Sequence, residues 1–400
     1  MNTKACFSES LSALRRMVIA ALLLAAIVAG AVEACPFCAK SQRPTLGEQQ
    51  ALAEVIAVAS WKKMVPAKGE RGAETTFEIT ELLKSNPKGP AKGSDVVVPV
   101  ERPGSKGTLE LWFGATSNGD LEWTYRVPVS AEAVAYLKKA PPRDVAERKR
   151  LQFYLQFLEH DDPAIADDAF QEFASARFED VQGAVQSFDS KKVRSWLANE
   201  NLPVNRRGLY GLMLGLTGSA DDEEFFRQQI ESNTDEIRIG IDGVIGGYLY
   251  LAGEKGMEFV ERTKIIDPAT PFSETYSAMQ ALRFLWTYGS DRVPRERILS
   301  AMRRLVDRAA VCDIVINDLA RWKDWSQQEK LMRLYGTKDY DLPSIKRAII
   351  RYMVASTKDV PTEEAGELPA HAVAGQKNVD ALRERDPKRV AEVERFFFPQ

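Results

Sequence analysis

Histidine is nearly missing from this chain: there are two in 400 residues, His160 and His371. A Ser–His–Asp arrangement needs an imidazole beside its nucleophile, and most zinc centres need several. The two histidines lie far apart. His160 precedes Asp161-Asp162 at a helix end, where a solvated cap is the plain reading, and His371 stands in linker context. Cysteine is scarce as well, with four residues at positions 6, 35, 38 and 312. No long block of one charge occurs, and a formal net charge of −3 denies the chain the basic face that displaces counterions from nucleic acid. The longest apolar run falls short of a bilayer span. Metals, cofactors and nucleic acid are therefore not expected, and no catalytic constellation stands out.

What is present can build a core. Apolar residues make up 44% of the chain and charged ones 28%, a balance that buries a hydrophobic interior and stays soluble. The length suggests two or three domains. Residues 1–34 read as an export signal: Arg15-Arg16 form a basic flank, and Met17 to Gly30 is a 14-residue apolar run. Val32 and Ala34 supply small residues at the −3 and −1 positions, so cleavage after Ala34 is expected, leaving Cys35 as the mature N-terminus. An uncleaved anchor is the alternative. The expected location is periplasmic or extracellular.

Cys6 leaves with that signal. Cys35-Pro36-Phe37-Cys38 has the spacing of a redox pair, and an oxidising compartment favours its closure as a disulfide. A thioredoxin-like site needs a strand before the motif and a helix after it, and here nothing precedes it in the mature chain. Covalent haem attachment wants histidine after the second cysteine, where Ala39 stands. Lipidation of Cys35 is a further reading, although Glu33 suits a lipobox poorly. Cys312 lies in an apolar run and reads as a buried, inert thiol.

After a possible short helix near Leu46, five stretches read as strands: 55–59, 75–82, 95–100, 108–113 and 121–127. Asn118-Gly119 joins the last two, a dipeptide that accepts positive φ at both positions of a tight hairpin. Short strands packed this densely suggest a closed or half-closed barrel. Phe77, Ile79, Leu83 and Lys84 supply a phrase, F-x-I/V-x-x-x-L-K, that resembles the OB-like barrels of the netrin and tissue-inhibitor-of-metalloprotease class, over roughly residues 35–128. The resemblance implies a role for the free amine of Cys35 in chelating a protease metal. Those inhibitors tie their first cysteines to partners inside the barrel, and this chain has no cysteine there after Cys38, so the fold alone is carried over.

Ser130 is a good N-cap for a helix to about Lys139, and Pro141-Pro142 read as the domain boundary. Asp162-Pro163 open another helix. From Asn205 to Lys358 apolar helical runs end at Gly218, Gly253, Gly289, Asp324 and Lys358, separated by 35, 36, 35 and 34 residues. One helix of each pair is apolar and rich in small residues, and the next is more polar. Such a pair cannot bury its apolar face alone, so neighbours must stack. This resembles HEAT-type repeats over about residues 145–358. Gly240, Gly243, Gly246 and Gly247 fall in an expected helix, where each costs about 1 kcal/mol against alanine, and close helix approach is the expected compensation. A phosphate loop is not, since neither a preceding strand nor a Lys-Ser pair accompanies them.

The acidic pairs Asp167-Asp168 and Asp221-Asp222 are read as complements to helix N-termini, and Trp196, Trp286, Trp322 and Trp325 as core. Residues 359–380 read as a flexible linker, and 381–400 as a last helix whose aromatic end, Phe396-Phe397-Phe398, is expected to dock into a groove of its own protein. The expectation is thus an α+β multidomain chain: signal 1–34, five-stranded OB-like β-barrel 35–140, α-helical repeat (HEAT-like) solenoid 144–358, linker, C-terminal helix. The expected function is an exported, non-enzymatic interaction scaffold for a protein or peptide partner. The alternatives are a thiol-disulfide factor acting through Cys35 and Cys38, and a protease-inhibitor-like barrel using Cys35.

Overall fold

The structure, a computed structural model, describes residues 35–38, 43–68, 72–231, 237–360 and 367–396. The signal and its cleavage site at Ala34 lie outside these residues, as do Phe397 and Phe398. The chain divides into two compact units, one running to Val181, the other from Gln182 onward and including Phe37 and Cys38. Pro141-Pro142, read as the boundary, falls inside the first.

The first unit begins with helix α1 (Leu46–Leu52) and five strands, β1 (Val55–Val65), β2 (Glu74–Lys84), β3 (Asp95–Val98), β4 (Leu109–Ser117) and β5 (Asp120–Val129). They form one antiparallel sheet in the order β3-β2-β1-β4-β5. Register shifts interrupt the β1–β2 pairing in three places. Each adds twist and bend, and the sheet curls into a half-barrel rather than lying flat. A core cluster on the sheet holds Ala57, Ala59, Phe77, Ile79, Val98 and Trp112. The Trp112 ring meets Phe77 at 4.9 Å and Trp123 at 5.2 Å, both edge-on. Asn118 and Gly119 turn the β4–β5 hairpin with φ of 50° and 96°, as the dipeptide predicts.

Helices α2 (Ala131–Lys139), α3 (Glu147–Tyr154) and α4 (Pro163–Ala174) complete this unit. Ser130 caps α2 by accepting from Ala133 N at 2.9 Å, and Asp162 caps α4 by accepting from Ala164 N at 2.9 Å. These helices belong with the sheet because α4 sends two carboxylates to the start of α1: Asp168 Oδ1 accepts from Leu46 N at 2.7 Å, and Glu172 Oε1 accepts from Thr45 Oγ1 at 2.5 Å. That attachment is why the proline pair does not separate two units.

Helix α5 (Phe178–Val185) spans the division. The second unit then runs through α6 (Ser190–Leu197), α7 (Arg207–Thr217), α8 (Glu223–Glu231), α9 (Ile241–Ala252), α10 (Glu254–Val260, continued by a π-helical turn over Glu261–Ile266), α11 (Phe272–Tyr288), α12 (Arg295–Arg304), α13 (Ala309–Arg321), α14 (Gln328–Leu334) and α15 (Pro343–Lys358). It ends with α16 (Ala370–Arg385) and α17 (Pro387–Arg395). Residues 370–380 were expected in a linker, yet they are helical. Ala372, Gly375, Val379 and Leu382 form a buried stripe that packs on α15, and the low overall apolarity of the segment hid it.

The apolar first helices pack on one another in sequence: α9 on α7 and α11, and α13 on α11 and α15. Their N-terminal ends lie together. Arg238, just before α9, bonds Glu274 in the first turn of α11 at 2.6 Å. Arg308, just before α13, donates to the Thr270 carbonyl ahead of α11 at 2.7 Å, and Tyr340 OH, ahead of α15, reaches the Val306 carbonyl ahead of α13 at 3.3 Å. At the opposite ends Trp286 of α11 stacks on Trp322 at 4.3 Å, and Lys323 pairs with Asp359 at 2.6 Å. The stacked helices are therefore parallel.

Candidate functional site: the cysteine loop and the glycine seam

Helices α7 and α9 approach so closely that side chains are excluded between them. A Cβ on Gly247 would stand 2.1 Å from the Gly211 carbonyl oxygen, one on Gly243 2.3 Å from that of Gly208, and one on Gly215 2.3 Å from that of Gly247. The close approach expected of the glycines is present. Gly240 differs from expectation: it precedes α9 with φ of 82°, the left-handed region where glycine carries no steric cost.

Gly246 faces elsewhere. A Cβ there would lie 2.5 Å from Cζ of Phe37, and one on Gly208 would lie 2.5 Å from the Phe37 carbonyl oxygen. The Phe37 ring packs at 4.9 Å on Phe284 of α11. Phe37 is buried at 7% exposure, while Pro36 beside it is exposed. The middle of the Cys-Pro-Phe-Cys motif thus places a ring in a slot between α7, α9 and α11. Cys35 and Cys38 on either side are disulfide-bonded. Residues 39–42, which follow the motif, lie outside the described residues. Cys312 is a buried free thiol whose pKa burial pushes up to about 12, which makes it inert at neutral pH.

Other titratable groups converge in structural clusters. Asp168 is buried, and beyond its bond to Leu46 N it accepts from Tyr136 OH at 2.8 Å. It lies in the second turn of α4, so the reading of Asp167-Asp168 as an N-terminal complement is corrected for Asp168: its partners come from other elements. Arg143 bonds Glu172 Oε1 at 2.8 Å, and Arg150 reaches Oε2 at 3.4 Å. Burial nevertheless raises the Glu172 carboxyl to about 6. Sequence reading missed Thr45, Tyr136, Arg143 and Arg150, although Thr45-x-x-Glu48 is a capping box and forms one, with Glu48 N donating to Thr45 Oγ1 at 3.0 Å and Thr45 N to Glu48 Oε2 at 2.9 Å. Asp222 closes a comparable box with Ser219, as the helix-start reading of Asp221-Asp222 expects.

In the second unit Glu274 accepts from Arg238 and, at 2.9 Å, from Lys264, with Lys264 and Glu274 both fully buried. Burial alone would raise the Glu274 carboxyl, but the two cations hold it below its ordinary value. His160 Nδ1 accepts from Asp162 N at 3.0 Å, in keeping with a role at a helix end. His371 Nε2 lies 2.8 Å from the Asp359 carbonyl oxygen, and its ring faces Trp325. The tryptophans are not core: Trp196, Trp286, Trp322 and Trp325 are each half-buried. They sit at or just beyond the C-terminal ends of helices, where they stack on neighbouring rings and, at Trp286, under Arg295 at 5.0 Å.

A cavity of about 460 Å³ lies among α13, α15 and α17, with Asp313, Arg347, Arg351, Glu392 and Phe396 in its wall. Arg347, Arg351, Glu392 and Phe396 are exposed, so it is an open cleft rather than an enclosed reaction chamber. Val390 and Val393 bury one face of α17, while Phe396 remains 61% exposed. Among the described residues no three His, Cys, Asp or Glu side chains gather to hold a metal. No helix there is long and apolar enough to cross a membrane.

No protein-family model, no curated protein and no solved structure matches the chain.

Proposed function

We propose that this chain is an exported, non-enzymatic interaction scaffold: a signal removed after Ala34, an OB-type half-barrel, and a HEAT-like array whose edge takes a protein or peptide. One observation carries the reading. Along the edge where the parallel helices begin, apolar side chains keep half or more of their surface in water, at Val204 (54%), about one repeat on at Ile239 (52%), again at Phe272 (52%), and two repeats further at Leu342 (50%). Isolated exposed apolar residues are ordinary, but a recurrent row on one edge marks an interaction surface. The strand order, with β1 between β2 and β4 and with β3 and β5 at the rims, supports the OB reading of the first unit. Parallel stacking of the apolar helices supports the repeat reading of the second.

The test is a photo-crosslinking amino acid placed in living cells at Ile239 or Phe272, and separately at Thr287 or Lys323 on the opposite ends. Discrete crosslinked partners from the first pair and none from the second are expected. Equal labelling from both ends, or none from either, removes the reading.

A second reading, a cysteine-dependent factor, is favoured by the bonded Cys35–Cys38 pair. Burial of Cys35 at 4% exposure weighs against it, since exchange needs an accessible sulfur. Reduction and reoxidation of a model disulfide substrate by the purified chain decides it.

A further inference from the structure

The slot that receives Phe37 is lined by Gly208, Gly246 and Phe284. Glycine inside a helix costs about 1 kcal/mol against alanine, and Gly246, unlike its neighbours in the α7–α9 seam, has no helix backbone pressed against it. The nearest atoms to a Cβ at that position are Cζ and Cε2 of Phe37, at 2.5 and 2.8 Å, followed by Cδ1 of Phe284 at 3.4 Å. What Gly246 leaves room for is one aromatic ring. The ring that fills the space comes from a four-residue turn closed by a disulfide and stiffened by Pro36, whose φ is restricted by its own ring.

We propose that the pocket formed by Gly208, Gly246 and Phe284 is a receptor for a single aromatic side chain. Phe37 is its resident occupant, and the Cys35–Cys38 bond holds that occupant in place. Restricting the loop before it docks removes much of the ordering cost that docking would otherwise carry. Opening the bond with a dithiol moves two electrons and two protons: Cys35 and Cys38 become thiols, and the reductant becomes a cyclic disulfide. The loop then loses its restriction, and the Phe37 ring is free to leave the pocket. In this account the cysteine pair presents a ligand and performs no redox catalysis.

The experiment follows hydrogen exchange of the α9 amides, Ile241–Ala252, in the oxidised full chain, with and without dithiothreitol. Reduction is expected to speed exchange there by roughly tenfold, the scale of one immobilised side chain set free. Phe37→Ala should exchange fast in both states, and toluene should slow it while leaving the oxidised wild type unchanged. Should Phe37→Ala not fold, Phe37→Leu, which keeps the apolar bulk, takes its place. Gly246→Ala provides the independent check: it lowers the melting temperature of the wild type, where it meets the ring, and raises it in the Phe37 variant, where only helix propensity remains. Three results overturn the proposal: reduction that leaves wild-type exchange unchanged, reduction that acts equally on the Phe37 variant, or toluene that gives the variant no protection.

Discussion

Glu172 shows how little a buried carboxylate needs to be catalytic in order to be perturbed. It accepts from Thr45 and faces Arg143 and Arg150, yet burial outweighs these partners and raises its carboxyl to about 6. The folded chain therefore holds this proton more tightly than the unfolded chain. The stabilisation is complete below the ordinary value of 4.5 and is lost as pH rises through about 6. One pKa unit corresponds to about 1.4 kcal/mol, so the loss is about 2 kcal/mol. Urea midpoints measured between pH 4.5 and 7 should fall across that window in the wild type and vary less in Glu172→Gln. An unchanged slope in the variant would place the titration elsewhere. Thr45-x-x-Glu48 could have been read as a capping box and was missed, but the second bond of Thr45, 127 residues away in sequence, could not have been read at all. Local spacing encodes caps and carries no information about which distant carboxylate a hydroxyl meets.

At the scale of elements, helices of the second unit are joined by charge pairs 35 or 36 residues apart. Arg238 meets Glu274 across 36 residues, Arg283 meets Asp318 across 35, and Lys323 meets Asp359 across 36. These separations match the spacing of the apolar helix ends, so they could have been sought in the sequence once the period was known. The buried pair is the sensitive one. Removing one partner of a buried ion pair strands the other and costs about 3–5 kcal/mol. Glu274→Ala leaves Arg238 and Lys264 facing each other and is expected to lose that much in chemical denaturation, whereas Asp359→Ala, whose Lys323 partner is 70% exposed, should lose under about 1 kcal/mol. In the sheet, Trp112 is fully buried against Phe77 and Trp123, and Trp112→Ala should cost about 3–5 kcal/mol. A loss of less than about 1 kcal/mol would mean that the cluster around Trp112 is not a core of the first unit. Strand positions and the Asn118-Gly119 hairpin were readable because alternation and turn chemistry are local. The helix at Ala370–Arg385 was not, because its apolar stripe is thin and its neighbours, Pro369 and the glutamates before it, read as linker.

For the whole molecule, the export reading makes a direct statement about mass. Protein recovered from the cell envelope should begin at Cys35, carry no lipid, and weigh two hydrogens less than the fully reduced chain. A retained Arg15-Arg16 segment would remove the signal reading, and an acyl mass would make the chain a membrane-anchored form. The large-scale pattern was set by composition and periodicity. Period-two alternation before residue 130 and apolar helical runs after it already pointed to a five-stranded sheet followed by many helices, because binary patterning and period are properties of the chain itself. Three matters were decided only by tertiary structure: that α2 to α4 belong with the sheet, that the helix starts share one edge, and that Phe37 enters the space left by Gly246. Each depends on which surfaces meet. A glycine announces that something must come close, but only the folded chain determines what does.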